Sequence, residues 1–118
     1  MAQAVARVRN LSISPRKVRL VANLIRGKKV AEAREILRFT VKGCSLPLRK
    51  LLDSAAANAD SLAAEKHERI DTDEMVVRSI QVGDARTLRR FIHAPRGRAM
   101  RIRKRSCHVS LVLESVEE

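Results

Sequence analysis

The stretch MVVRSIQV (75–82), GDARTLRRFIHAPRGRAMRIRKRSCH (83–108), VSLVL (109–113) decides how this chain folds. Its two ends are rich in aliphatic and β-branched residues. Val109, Leu111 and Leu113 alternate with Ser110 and Val112, while Val76, Ile80 and Val82 share one face that Arg78 interrupts. The 26 residues between these strands are too many for a structureless loop inside a compact domain. The economical solution is an extended hairpin, in which both strands continue outward and Pro95, Arg96 and Gly97 turn the tip. At about 3.3 Å per residue, arms of about 12 residues reach on the order of 40 Å. Such an arm has no core of its own, so only a partner holds it in place.

Upstream, the period of the apolar residues becomes helical. Residues 4–9 read as a short strand carrying Val5 and Val8. Ser14-Pro15 starts a helix: Ser14 is placed to accept from a free first-turn N–H, and Pro15 loses nothing at the first helical position. Gly27 stops it. Val18, Val21, Ala22 and Ile25 form its inward side. Arg16, Arg19, Asn23 and Arg26 lie within about 80° of one another on another side, with no acid on the helix to pair with. Residues 30–39 make a second helix with Val30, Ala33, Ile36 and Leu37 inward and Glu35 within reach of Arg38. A third runs over about 45–64, striped by Leu48, Leu51, Leu52, Ala55, Ala59 and Leu62, with Pro47 in its first turn. Its Ala55-Ala56-Ala57 run lets a neighbouring backbone approach closely. Residues 65–74 form an acidic, polar connection.

With 118 residues and 45% of them hydrophobic, the chain suits one domain with a real core. That core must be built from Val, Ile, Leu and Ala, since Trp and Tyr are absent and only Phe39 and Phe91 are aromatic. Lys and Arg number 25 against 13 acids, a net charge of +12, and such a chain needs a polyanion in its working state. The charge is unevenly spread. Residues 1–29 carry Arg7, Arg9, Arg16, Lys17, Arg19, Arg26, Lys28 and Lys29 and no acid. Residues 30–83 are nearly neutral at −1. Residues 84–108 carry Arg86, Arg89, Arg90, Arg96, Arg98, Arg101, Arg103, Lys104 and Arg105 against Asp84 alone, and the last ten residues hold three acids. Two basic segments around a neutral middle imply two separated RNA-contacting surfaces rather than uniform solubilisation.

Other functions fit less well. An anionic membrane surface is the competing polyanion, but no apolar run approaches the roughly 18–20 residues of a spanning helix, and the N-terminus lacks a signal-peptide stretch. His67, His93 and His108 are scattered, no Ser, Cys or carboxylate suggests a triad, and the glycines form no phosphate loop, so neither an enzyme nor a cofactor is expected. Cys44 and Cys107 have no ligand-spaced partners; they read as reduced thiols in a cytosol-like compartment, with no metal. Readers of single-stranded RNA need an aromatic platform that two Phe do not furnish. Arg supplies 18 of the 25 cations, and its fork binds phosphate and stacks on bases, which suits irregular folded RNA without specifying a site. A free RNA chaperone would not need a neutral domain with one long arm, and a partner-binding adaptor would need an exposed apolar patch, which the sequence does not show.

SPRKVRLVANLIRGKKV (14–30) with the AEA-x-x-IL-x-F helix after it, KLLDSAAANA (50–59), GRA (97–99) and KRSCHVSLVL (104–113) keep their order and spacing across the chain. Together they resemble the family of the universal large-subunit ribosomal protein number twenty-two. The resemblance implies an α+β fold of three helices packed on a small three-stranded antiparallel sheet, with a long extended β-hairpin. Residues 1–118 would be a single domain, with a globular part at approximately 1–84 plus 107–114 and a basic hairpin at approximately 85–106. The implied function is that of a structural constituent of the large ribosomal subunit that supports its assembly, in the cytoplasm, with an organellar ribosome left open. Partners would be large-subunit ribosomal RNA, neighbouring ribosomal proteins and the nascent polypeptide. Arg16, Lys17, Arg19, Arg26, Lys28 and Lys29 would form the globular contact surface, and Arg89, Arg90, Arg101, Arg103, Lys104 and Arg105 the arm contacts. Ala94, Pro95, Arg96, Gly97, Arg98 and Ala99 would form a tip lining the nascent-peptide exit tunnel. The tip departs from the family's usual Pro-Arg-Ala-x-Gly-Arg-Ala: here the proline has moved by two positions and one arginine is absent. Ala85-Arg86 stands where Gly-Pro is usual at the hairpin's base, and Gly43 and Pro47 replace residues that favour helix.

Overall fold

The computed structural model describes residues 3–67, 69 and 71–115. The order along the chain is β1 (Gln3–Leu11), α1 (Pro15–Ile25), α2 (Val30–Phe39), α3 (Ser45–Lys66), β2 (Val76–Asp84), β3 (Leu88–His93), β4 (Ala99–Lys104) and β5 (Cys107–Glu114). Short 3-10 turns occupy Thr72–Glu74 and Pro95–Gly97. The fold is α+β. β5 lies between β1 and β2 in an antiparallel three-stranded sheet, and β3 pairs with β4 in a separate two-stranded ribbon. Glu68 and Ile70 of the acidic connection, and Glu117 and Glu118 of the C-terminal acids, lie outside the described residues.

The alternation in β5 buries Cys107, Val109, Leu111 and Leu113. β1 turns Ala4 and Ala6 inward, two small residues that let α3 pack closely on the strand. Asn58 of α3 donates to the Val5 carbonyl at 3.0 Å, which ties the helix to this edge strand. The end of α3 departs from the expected stripe. Leu62 is 40% exposed, and Ala63, at 7%, takes the inward place together with Ala55, Ala56 and Ala59. α3 also runs two residues further than the periodicity suggests, ending at Lys66, where His67 takes left-handed φ of 54°.

β2 differs from its sequence reading in one register step. Val77, not Val76, is buried with Ile80, because the pairing with β5 shifts between Val77 and Ser79. Arg78 is the extra residue of this bulge, which turns it outward to Glu114 at 3.2 Å and restores the inward phase for Ile80 and Val82. Ser14 also differs. It stands before α1 in extended conformation, but its side chain makes no cap bond; its carbonyl instead accepts from Lys17 and Val18. Gly27, at φ +79°, does end α1, and its N–H donates to the Val77 carbonyl at 2.9 Å.

That bond belongs to a seam closing the free edge of β2. Val77 donates to the Lys28 carbonyl and Val30 to the Met75 carbonyl, both at 2.9 Å. Arg26 and Arg19 reach the Ile80 and Val82 carbonyls at 2.8 and 3.0 Å. An edge so covered offers no ladder to another chain. The helices close the sheet's inner face: α3 packs on β1 and β5, α1 on β2, and α2 on α1 and α3. The core is wholly non-aromatic, since Phe39 and Phe91 are 75% and 70% exposed.

Candidate nucleic-acid interface

The ladder joining β2 to β5 stops at Asp84 and Cys107. Beyond it, the Ala85 N–H donates to the Ser106 carbonyl at 3.1 Å, and Ser106 Oγ donates to the Arg86 carbonyl at 2.6 Å. This joint carries the β3–β4 ribbon away from the domain, giving a molecule 66 Å in its longest dimension and 26 Å in the next. The tip turns on two successive left-handed residues, Arg96 at φ 64° and Gly97 at 68°, and is closed by the Ala94 N–H on the Arg98 carbonyl at 2.8 Å. Pro95 cannot donate, so its place at the start of the turn leaves no N–H unpaired.

Register fixes what each face of the ribbon presents. Arg89 opposes Arg103, Phe91 opposes Arg101, and His93 opposes Ala99. The other face pairs Leu88 with Lys104, Arg90 with Ile102, and Ile92 with Met100. Like charges directly opposite destabilise a ribbon. Among the described residues, none of the arm's cations makes an ion pair that would offset this repulsion. The nearly neutral segment behaves differently. Arg34 bridges Asp53 and Asp73 at 3.1 and 3.0 Å, and Lys29 meets Glu74 at 3.0 Å. That hydrogen bond and the Glu74 charge push the Lys29 amine above its ordinary range.

Three cations of the first basic segment, Arg16, Lys17 and Arg19, share hollows with the base of the second. Where the arm leaves the domain, a groove of about 920 Å³ has Lys17 of α1 on one wall and Arg86, Arg103, Lys104 and Arg105 on another. A second hollow, about 480 Å³, brings Arg16 and Arg19 beside Arg89, Arg103 and Arg105. Arg19 also lies 3.7 Å from Asp84, so its guanidinium is partly neutralised. Arg90 and Arg101 continue along the arm to Arg96 and Arg98 at its tip. Not every basic residue joins this surface. Arg7 and Arg9 line a shallow hollow of about 440 Å³ on the outer face of the sheet. Lys28 and Lys29 sit beside Val76 and Val77, at the end of β2 away from the arm. Arg26 is held against Ile80 and Asn23.

Lys42 was not legible as part of the interface. It lines the larger groove from the α2–α3 connection, but its segment averages to near neutrality in sequence. The apolar surface was missed as well: Leu20, Leu24, Phe39 and Val41 are all exposed, each within a few residues of a cation. Arg38 lies over the Phe39 ring, 5.6 Å from its centroid. Cys44 and Cys107 are free and buried, and burial pushes both thiols above their ordinary range. Among the described residues, no three His, Cys, Asp or Glu side chains cluster as a metal site would require. None of the described helices is long and apolar enough to cross a membrane.

Three helices on a three-stranded sheet, with a basic two-stranded arm, make a class of small α+β protein whose cations gather at the base of the arm. The family model described as ribosomal protein L22p/L17e matches residues 6–114. The large ribosomal subunit protein uL22 of Desulfitobacterium hafniense (strain Y51) is 46% identical over 118 residues, covering 100% of this chain and 99% of that protein. Its counterpart from Chlorobaculum tepidum is 44% identical over 115 residues, 98% of this chain and 95% of the relative. That of Chlorobium limicola is 42% identical over 116 residues, 98% and 97% of the two chains. The chain belongs to the ribosomal protein L22p/L17e family. It is a structural, non-enzymatic ribosomal protein.

Proposed function

We propose that this protein, as a structural constituent of the large ribosomal subunit in the cytoplasm, binds large-subunit ribosomal RNA through the arm and the domain surface at its base. The observation that supports this most is the meeting of the two basic segments: Arg16, Lys17 and Arg19 share hollows with Arg86, Arg89, Arg103, Lys104 and Arg105. Of these cations all but Arg19, which lies near Asp84, have no acid partner among the described residues, and phosphate would remove their mutual repulsion and release counterions. Arg7, Arg9, Arg26, Lys28 and Lys29 would add outlying phosphate contacts. The arm, with no core of its own, threads between RNA segments and supports subunit assembly by joining them. Its tip, Ala94 to Ala99, lines the nascent-peptide exit tunnel, where Arg96 and Arg98 face the growing polypeptide. Residues 1–84 with 107–114 form the folding unit, and residues 85–106 become ordered on RNA. Neighbouring large-subunit proteins would contact the domain's exposed apolar side chains.

Sedimentation of the native protein in cell extract tests the reading. Co-migration with large subunits after a moderate-salt wash is expected, and a protein found only in light fractions would overturn it. For the tip, a photoreactive group placed at Arg98 should crosslink to nascent chains in translating ribosomes; crosslinks to RNA alone would remove the tunnel role.

A further inference from the structure

The groove at the base of the arm has a composition that phosphate binding alone does not explain. Its walls come from three places distant in sequence: the β1–α1 connection with the start of α1, the α2–α3 connection, and the two strands of the arm base. Its cations include Lys17, Lys42, Arg86 and Lys104, and no acid among the described residues lines it. Between these charges stand Ile13, Leu20 and Leu88, with Leu20 62% exposed. A surface that only neutralises phosphate has no use for exposed leucines. Ser12, Ser14 and Ser106 add three hydroxyls to the lining; that of Ser106 donates to the Arg86 carbonyl, and Ser14 is not engaged as the cap of α1. One lip is fixed by a bulge in β1, where Asn10, at left-handed φ of 56°, donates its N–H to Nδ1 of His108 at 3.0 Å.

An apolar floor, hydroxyls and a ring of cations match the three parts of one nucleotide: base face, base edge or ribose, and phosphate. The volume of about 920 Å³ falls within the roughly 300–1,000 Å³ of small-ligand sites. A base inside a helix hides its faces in the stack, so only an unpaired nucleotide presents a face and its phosphate together. From this we infer that the groove holds a single unpaired nucleotide of the bound RNA, its base against Leu20 and Leu88 and its phosphates on Lys17, Lys42 and Arg86. The inference rests on the RNA-binding reading above and adds what that reading lacks, a place where the protein distinguishes one RNA shape from another. A free nucleotide shares the chemistry, but the cations continue past the groove along the arm, where further phosphates of the same strand would lie.

The test uses the full chain and two RNA stem-loops that differ only by one bulged nucleotide. The bulged RNA should bind about tenfold more tightly, roughly 1.4 kcal/mol, which is within what burying apolar area of the base against two leucines supplies. Replacing both leucines, Leu20→Ser with Leu88→Ser, leaves the net charge unchanged. It should abolish that preference, bringing the two stem-loops to one affinity, while an unchanged melting transition shows the fold intact, because both side chains are exposed in the free protein. A 4-thiouridine at the bulge should crosslink on irradiation to residues of the groove, mapped by mass spectrometry. Equal affinity for the two RNAs, a preference that survives the double variant, or crosslinks only to the arm tip would each overturn the assignment. Displacement of the bulged RNA by millimolar adenosine monophosphate would also overturn it, by making a soluble nucleotide the ligand. Failure of both stem-loops to bind at low salt would instead strike the RNA-binding reading itself.

Discussion

Arg26 donates from Nη2 to the main-chain carbonyl of Ile80 at 2.8 Å, across the free edge of β2. A cation of the basic helix thus completes the sheet's hydrogen bonding, and its charge serves the fold before it serves any partner. Arg16, three turns earlier on the helix, has no such bond among those described. Arg26→Ala should therefore lower stability by about 1.5–3 kcal/mol, the range of a hydrogen bond from a charged group. Arg16→Ala should stay within about 0.5 kcal/mol and lose RNA affinity only. Urea melts of the two variants check this, and equal costs would show that the edge bond contributes nothing.

Salt dependence reports how many phosphates are engaged. If about ten are contacted, log K against log salt should fall with a slope on the order of −7 to −9. Arg103→Gln with Arg105→Gln, both at the joint of arm and domain, should flatten it by about 2. A wild-type slope shallower than about −3 would place the binding surface elsewhere.

The buried thiols set an alkaline limit. Burial comes first among the causes that raise Cys44 and Cys107, and the neighbouring Cys44 charge adds to the rise at Cys107. The unfolded chain then loses these protons at lower pH than the folded one. Their contribution to stability is complete below the ordinary thiol value of about 8.5 and is lost as pH climbs through the higher folded values. Lys29, raised by its bond and charge interaction with Glu74, acts in the same direction at higher pH. Melting temperature should fall from about pH 8.5 upward, and Cys44→Ala with Cys107→Ala should remove the first part of the decline. Iodoacetamide should label both thiols quickly only in denaturant. Rapid native labelling would contradict the burial.

The arm should be dispensable to the free domain. Deleting residues 94–99 removes the tip turn and the first residue of β4, all far from the core, so the domain should lose less than about 1 kcal/mol. Without RNA, the amides of β3 and β4 should exchange rapidly, since the ribbon's cations repel one another across its register. A collapsed melting transition in the deletion variant, or strong protection at the tip, would make the arm part of the core.

The sequence showed the helices, the central strand and the arm because each has a clean signal: a period of 3.6, strict alternation, or a basic run too long for a loop. It misled where a local irregularity shifted the phase. At Arg78 one inserted residue turns Val77 inward in place of Val76, and nothing in the alternation marks where a bulge will fall. At the end of α3, Leu62 is the more hydrophobic residue, yet Ala63 is the one buried, a choice of helix phase that hydrophobicity alone does not reveal. The basic residues of the interface were legible one by one, but their gathering was not. Lys17 and Lys104 are far apart in the chain and become neighbours only when β5 returns beside β2 to form the joint. Lys42 stayed hidden in a segment whose charges cancel, because counting charge along the chain does not reveal which cations already have partners.

An interior without aromatic rings also makes the protein nearly transparent in the near ultraviolet. With no Trp or Tyr, and with both Phe on the surface, it absorbs almost nothing at the wavelengths where nucleobases absorb strongly. Spectra of its complexes therefore report the RNA with little protein background. A single indole placed at Phe91, on the guanidinium-rich face of the arm, would be the chain's sole fluorophore. Its emission would follow the docking of that face and nothing else in the molecule.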